Sequence, residues 1–379
     1  MQDIFLIHFM SQFLPFLFYI FIVIVVIQVI YYLFIFGKFS FAKTQESTAK
    51  QVSISIIVCA KNEEENIKKF IPHLANQNYP NFEIILIDDA SSDETLEIFE
   101  AFEKQYHNVK LVKVANNEAF WGNKKFALTL GIKSATKDYL LFTDADCYPN
   151  SENWITEMSS HFTQHKTIVL GYGAYEKESG FLNKLIRFET LLTATQYFAW
   201  AKLGKPYMGV GRNFAYKKDE FFKVNGFVNH MKLRSGDDDL FINEAANKDN
   251  ITTAYNTESF TYSEAKKTLK DWIMQKRRHV STAKYYKSFD KTQLGIFYFS
   301  QLFFLLIPLV LLAFQFQWIL VTSIIAFRYT IAWISLGYSA GKLKEKDVMY
   351  WFPVLEIILI FTQSNVFVRN IFSKPVTWK

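Results

Sequence analysis

Asp144 and Asp146 stand one residue apart, directly after the apolar run YLLFT. Two carboxylates at a strand's end can share a hard divalent cation while a diphosphate supplies further oxygens. Such a cation would neutralise charge developing on a departing nucleoside diphosphate. Asp-x-Asp alone is a common chance match, and its place after a buried strand is what singles it out. About ninety residues later, Ser235-Gly236-Asp237-Asp238-Asp239-Leu240 opens the amphipathic run LFINEAA. One of those acids can take a proton from an attacking hydroxyl, or all three can simply complement a helix dipole. Gln275-Lys276-Arg277-Arg278-His279 brings two guanidinium groups that can clamp a diphosphate, or rest on lipid headgroups beside a membrane. Asp88 and Asp89 end the run FEIILIDDA, and KNEEENI follows the run SISIIVCA. In an open α/β sheet, ligands bind outside the carboxyl ends of the strands, which makes both loops candidate contacts. A solvated turn, or a helix N-cap from Ser91, Ser92 or Asp93, is the competing reading of the second loop.

The elements that must position these residues follow from the hydrophobic pattern. Between Val52 and about Asp290, the short apolar runs SISIIVCA, FEIILIDDA, VKLVKVA and DYLLFTDAD alternate with helix-like stretches such as EENIKKFIPHLANQ and DETLEIFEAFEKQY. That alternation predicts an α/β domain, residues 52–290, with a mostly parallel sheet wrapped by helices on both faces. The stretch from Phe181 to Gly204 has apolar residues broadly at helical spacing; core packing is its common explanation, and an acceptor-side helix on a membrane surface is the alternative.

Membrane runs flank this domain. Phe13 to Phe36 carries no formal charge over the roughly 20 residues that a bilayer core requires, and reads as a transmembrane helix rather than a cleaved signal peptide. Asp3 precedes it and Lys38, Lys43 and Lys50 follow, so the residues after it are expected on the cytosolic side. Residues 1–12 would then be an extracytoplasmic tail and residues 37–51 a polar linker. Beyond Asp290, two apolar runs predict a transmembrane hairpin over residues 291–338, with Arg328 inside the second run facing other helices or water. Residues 339–379 hold a cytosolic loop with Lys342, Lys344 and Lys346, then a third run containing Glu356, Gln363, Asn365 and Arg369 that can span, re-enter or lie in the interface.

Composition agrees with a membrane protein. Of the 379 residues, 50% are hydrophobic and 18% aromatic, more than a soluble monomer needs and incompatible with disorder. The net charge of +6 comes without a dense basic block beside aromatic residues, which excludes a nucleic-acid partner and leaves anionic lipid or an anionic substrate. Cys59 and Cys147 form no disulfide framework and read as reduced thiols in strands.

Taken in order, SIIVCAKNEEENI, LIDDASSDET, GNKKFALTLGI, FTDAD, GVGRNFAY, GDDDLFIN and QKRRH resemble the motifs of membrane-bound family 2 glycosyltransferases of the GT-A fold. The resemblance implies an inverting, metal-dependent transfer from a nucleotide-sugar, UDP-sugars favoured, to a lipid or glycan acceptor at the cytosolic face of the cell membrane. It implies donor contacts from Ala60, Asn62, Glu63, Asp88, Asp89, Lys124, Lys125, Asp144, Gln275, Arg277 and Arg278. Asp144 and Asp146 would hold Mg or Mn. Gly211, Arg212, Asn213 and His279 would lie on the acceptor side, with Asp237 as base and Asp238 a close competitor. Two positions depart from the family pattern: Gly236 stands where an acid usually precedes the base, and His279 where a Trp supports the acceptor of processive synthases. One sugar added to a lipid or lipid-linked acceptor is therefore expected, ahead of a processive polysaccharide synthase. A nucleotidyltransferase would be expected to have a glycine-rich phosphate loop where KNEEEN stands, and a non-catalytic scaffold would have broken acidic motifs.

Overall fold

The computed structural model describes residues 2–43, 51–115, 124–233 and 235–373, with side chains from residue 12 onward. Gly122 and Asn123 of the GNKKFALTLGI motif, and residues 44–50 of the expected linker, lie outside the described residues. Ten strands follow in chain order: β1 (Ile54–Ala60), β2 (Phe82–Asp88), β3 (Val109–Lys113), β4 (Tyr139–Phe142), β5 (Cys147–Pro149), β6 (Ile168–Leu170), β7 (Gly173–Tyr175), β8 (Phe214–Lys217), β9 (Ile251–Thr253) and β10 (Thr261–Ser263). The α-helices are α1 (Gln2–Val29), α2 (Gly37–Ser40), α3 (Glu64–Ala75), α4 (Thr95–Gln105), α5 (Lys124–Ser134), α6 (Trp154–Ser160) and α7 (Phe181–Lys202). They continue with α8 (Lys218–Lys223), α9 (Asp239–Ala245), α10 (Leu269–Val280), α11 (Ser288–Ala313), α12 (Trp318–Lys342) and α13 (Phe352–Phe372).

Seven strands form one sheet in the order β3-β2-β1-β4-β8-β6-β9, and β5-β10-β7 form a smaller one. β3, β2, β1 and β4 run parallel, β8 is antiparallel to both its neighbours, and β9 is parallel to β6. The expected mostly parallel sheet is therefore present, with β8 the reversed strand. All seven residues of β1 are buried, as befits a strand covered on both faces. Because side chains alternate across a strand, Ile57 and Cys59 join the core on one face and Ile56 and Val58 the core on the other. Both cysteines are free and buried.

The first of those cores does not end at the domain. It continues through Phe188, Leu191 and Phe198 of α7 into Phe36 and Phe39, Phe297 of α11, Leu336 of α12 and Phe352 of α13. Most of the 22 residues of α7 are buried, so the Phe181–Gly204 stretch is a core helix and not a surface acceptor helix. Arg187 at 2% exposure, held by Glu345 at 2.5 Å and Asp347 at 2.6 Å, ties α7 to the connection between α12 and α13. The expected linker also begins later than residue 37: α2 occupies Gly37–Ser40, where Phe39 is fully buried against Phe198, ring centroids 4.9 Å apart.

Four helical segments, Gln12–Ser40, Ser288–Ala313, Trp318–Lys342 and Lys346–Phe372, are long and apolar enough to cross a membrane. Arg328 faces other helices, as expected. It meets Glu356 of α13 through two bonds of 2.7 Å, donates to Tyr32 at 3.1 Å, and also bonds Gln28. Both members of the pair are 1% exposed.

Candidate active site

Parallel β1, β2 and β4 bring their carboxyl ends to one edge of the sheet. Ala60 is in register with Asp88, and the Asp89 N–H donates to the Ala60 carbonyl at 2.9 Å. The loops after β1 and β2 are laced together: Asn62 accepts from the Ser92 N–H at 2.8 Å, and the Glu63 N–H donates to Thr95 at 2.9 Å. Asn62 and Ala90 both have left-handed backbones, φ 55° and 54°, which the tight reversals here require. Asp93 accepts from the Thr95 N–H at 3.0 Å, so the turn-forming role foreseen for this loop falls to that residue. Asp89 has a buried carboxylate oxygen, Oδ2, without a hydrogen-bond partner among the described residues. Burial raises its pKa, the Lys61 ammonium opposes that, and Asp88 adds to it. A ligand hydroxyl or N–H reaching that oxygen would satisfy it.

At the end of β4, Asp144 meets the first residue of α5. Lys124 Nζ lies 2.7 Å from Asp144 Oδ1 and 3.1 Å from Asp237 Oδ2, joining residues 113 positions apart in the chain. Burial works against the ammonium, but Asp144 and Asp237 outweigh it and lift its pKa well above the ordinary lysine value. Burial likewise works against the Asp237 carboxylate, and Lys124 outweighs it, so its pKa is lowered.

Asp144, Asp146 and Cys147 present ligand atoms that all lie within 4.8 Å of one another. Burial, then repulsion from Asp144, raises the Asp146 pKa, the electrostatic signature of paired carboxylates that a divalent cation would relieve. The Cys147 thiol is held neutral by burial and donates to Asp146 Oδ1 at 3.4 Å. The two carboxylates therefore fit a hard cation such as Mg or Mn, and the thiol orients one of them.

The acidic triplet divides its labour. Gly236 has φ +93°, and a Cβ there would lie 2.5 Å from Leu240 Cδ1, so an acid in that position would strain the backbone and displace the Leu240 side chain. Asp238 caps α9: its Oδ1 accepts from the Asp239 N–H at 2.7 Å, and its Oδ2 from the Gly211 N–H at 2.6 Å. Burial and the charges of Asp237 and Asp239 raise its pKa to about 8. Asp239 is turned inward and accepts from Thr282 at 2.5 Å and Tyr286 at 2.6 Å, fixing the segment after α10. A Cβ on Gly211 would lie 3.3 Å from Asp238 Oδ2 and 3.7 Å from both Asp144 oxygens, so this glycine sits where the two acidic loops converge.

Residues 55–235 match the family model described as glycosyl transferase family 2. This segment is a family 2 glycosyltransferase domain. The chain is 28% identical over 173 residues to a dolichyl N-acetyl-α-D-glucosaminyl phosphate 3-β-D-2,3-diacetamido-2,3-dideoxy-β-D-glucuronosyltransferase of Methanococcus voltae, covering 45% of this chain and 49% of the relative. It is 26% identical over 194 residues to a 4,4'-diaponeurosporenoate glycosyltransferase of Staphylococcus haemolyticus, covering 50% of each. The match thus spans about half the length of these curated relatives. Among solved structures, the mannosyltransferase PcManGT of Pyrobaculum calidifontis, in complex with GDP-Man and Mn2+, aligns with TM-score 0.52 at 15% identity over 84% of this chain and 98% of that one. At this identity the match establishes a shared fold, the GT-A-like α/β architecture.

Within the family 2 domain and the helix that follows it, several expected contacts are placed elsewhere. Lys125 donates to the carbonyls of His230 at 2.8 Å, Leu233 at 3.1 Å and Ser235 at 2.7 Å, so it anchors the loop before the acidic triplet rather than facing a donor. Glu63 turns to its own helix, accepting from Asn66 at 2.6 Å. Asn213 is fully buried and bonds Trp154, Tyr172 and Ser259, which makes it part of the framework under the site, not an acceptor contact. Arg212 stacks on Tyr175, 4.2 Å from the ring centroid, and donates to Ala174 and Ser263. Arg277 holds the end of α13 through Asn370 at 3.0 Å and the Ser373 carbonyl at 2.8 Å, and is not turned to the donor side. Gln275 keeps a buried Oε1 without a partner among the described residues, Arg278 is half-buried, and His279 is exposed. The sequence reading had no signal for the Gly211–Asp238 bond, which joins residues 27 positions apart, whereas the thiol on Asp146 comes from the adjacent Cys147 and was read only as a reduced strand thiol.

Proposed function

We propose that the protein transfers a sugar from a nucleotide-sugar to a lipid or lipid-linked acceptor in a single displacement with inversion. The observation that carries this reading is the convergence of Lys124, Asp144, Asp237 and Asp238 at the carboxyl ends of the strands, backed by Gly211. Asp89, with its unmatched oxygen, meets the nucleoside, and Lys124 meets the diphosphate beside Asp144. Asp144 and Asp146 hold Mg or Mn, which when bound stabilises the negative charge of the leaving diphosphate.

Asp238 is the proposed base. Its two backbone hydrogen bonds fix the carboxylate, and a proton affinity near working pH suits proton removal from a hydroxyl. Asp237, paired with Lys124, is the weaker base and orients that lysine. Gln275 and Arg278 lie on the helix that follows and are proposed to close over the donor. The relatives support a membrane acceptor: one is named for a dolichyl-phosphate-linked sugar. The four apolar helices would cross the cell membrane with the catalytic domain on the cytosolic side, confining the site to the surface where such an acceptor lies.

The test is turnover by the detergent-solubilised protein across UDP-, GDP- and dTDP-sugars with membrane lipid extract, with Mg or Mn and with EDTA. Metal-dependent release of one nucleoside diphosphate, coupled to a lipid product of inverted anomeric configuration, is the expected result. No donor binding and no turnover across the panel would refute the proposal, and a product that retains the donor configuration would refute the single displacement.

A further inference from the structure

Away from the acidic cleft, a groove of about 720 Å³ runs between the last turns of α12 and the loop at Tyr255. Its wall is apolar and open: Trp333, Ile334 and Tyr338 are 41%, 49% and 59% exposed, and a Cβ on Gly337 would meet nothing within 4 Å. Its other end is basic, formed by Lys342, Lys344 and Lys346. No carboxylate lines it among the described residues. The connection after α12 sorts its charges to achieve this. Glu345 and Asp347 turn to Arg187, while the alternating Lys344 and Lys346 are exposed. Lys344 has a left-handed backbone, φ 61°. Lys202, over the Tyr255 ring at 4.9 Å, adds positive potential to the same end.

An apolar helix face that ends in exposed Lys344 and Lys346, with no carboxylate partner among the described residues, at the boundary between a membrane-spanning helix and the catalytic domain, matches an amphiphile with a negative head. We propose that this groove binds an anionic glycerophospholipid of the adjacent leaflet, its acyl chain along Trp333, Ile334 and Tyr338 and its phosphate on Lys344 and Lys346. A free phosphate would use the lysines and leave the apolar wall unexplained. The bound lipid would fill the gap between α12 and the catalytic domain and so fix the height of the cleft above the membrane. This inference rests on the membrane seating proposed above and not on the chemistry of transfer, because the groove shares no lining residue with the acidic cleft.

The experiment is native mass spectrometry of the full chain released from detergent, titrated with phosphatidylglycerol or phosphatidylcholine of matched acyl chains, with sugar transfer measured in parallel. Phosphatidylglycerol should be retained about thirtyfold more tightly, from the contribution of two lysines. Lys344→Gln with Lys346→Gln should reduce retention to the phosphatidylcholine level with transfer per molecule in detergent unchanged, and the charge-keeping Lys344→Arg with Lys346→Arg should restore it. Equal retention of the two lipids by the wild-type chain would overturn the proposal, whatever the variants do. So would a preference that survives loss of both lysines, or displacement of the lipid by millimolar inorganic phosphate. Loss of transfer in every form, with the lipid preference intact, would count against the proposed reaction and not against the groove.

Discussion

Two buried clusters of charge stand in the same chain, and they are built differently. Between the long apolar helices, Arg328 meets both oxygens of Glu356, with Gln28, Tyr32 and Gln301 completing the network. In the cleft, Asp144 and Asp237 share the ammonium of Lys124, while Asp146 and Asp238 are oriented by a thiol and by backbone N–H groups. A neutral donor fixes a carboxylate without cancelling its charge. The first cluster is therefore electrostatically closed and holds helices together, whereas the second is poised to receive a cation and a proton.

Asp238→Asn breaks the comparison most sharply. It keeps the carbonyl acceptor for the Gly211 N–H and removes the proposed base, so turnover should fall by roughly 10²- to 10⁴-fold with donor binding retained. Equal loss of donor binding would remove Asp238 from the proton-transfer role. Glu356→Ala should do the opposite: it strands the Arg328 guanidinium and should cost about 3–5 kcal/mol of stability. Thermal unfolding in detergent would report that loss, while transfer per folded molecule stays near wild type. Asp144→Asn should reduce turnover by roughly 10²- to 10³-fold and weaken the response to Mn, read by metal titration at saturating donor. Unchanged metal dependence would contradict its proposed place beside the cation.

The smallest expected effect is on pH. Asp238 must lose its proton to act, so kcat/KM should fall about tenfold per unit as pH drops below about 8 and level off above it. Asp237→Asn removes a neighbouring negative charge that helps hold that pKa up, so the limb should move to lower pH. A limb that disappears, with turnover lost altogether, would transfer the base assignment to Asp237.

Much of this was legible in the sequence because it is written locally. A strand buried on both faces needs a continuous apolar run, as β1 has, and an amphipathic helix needs its own periodicity, as α3 and α4 have. The same locality exposed the long apolar runs and placed Asp88, Asp89, Asp144 and the acidic triplet just after apolar stretches or just before a helix. Where the reading went astray, side-chain direction was the cause. Lys124 and Lys125 are neighbours, yet successive residues on a helix point about 100° apart. One therefore meets Asp144 and the other a set of loop carbonyls. Arg277 and Asn213 were assigned by motif, and their partners on α13 and in the framework under the site lie far along the chain.

The sequence by itself determined the elements, their order and the residue types able to bind a cation or move a proton, because those depend on near neighbours. Tertiary structure alone decided which carboxylate received an ammonium, which kept its proton, and which arginine closed on Glu356. Those outcomes depend on desolvation and on charges that approach within a few ångströms only after the chain has folded.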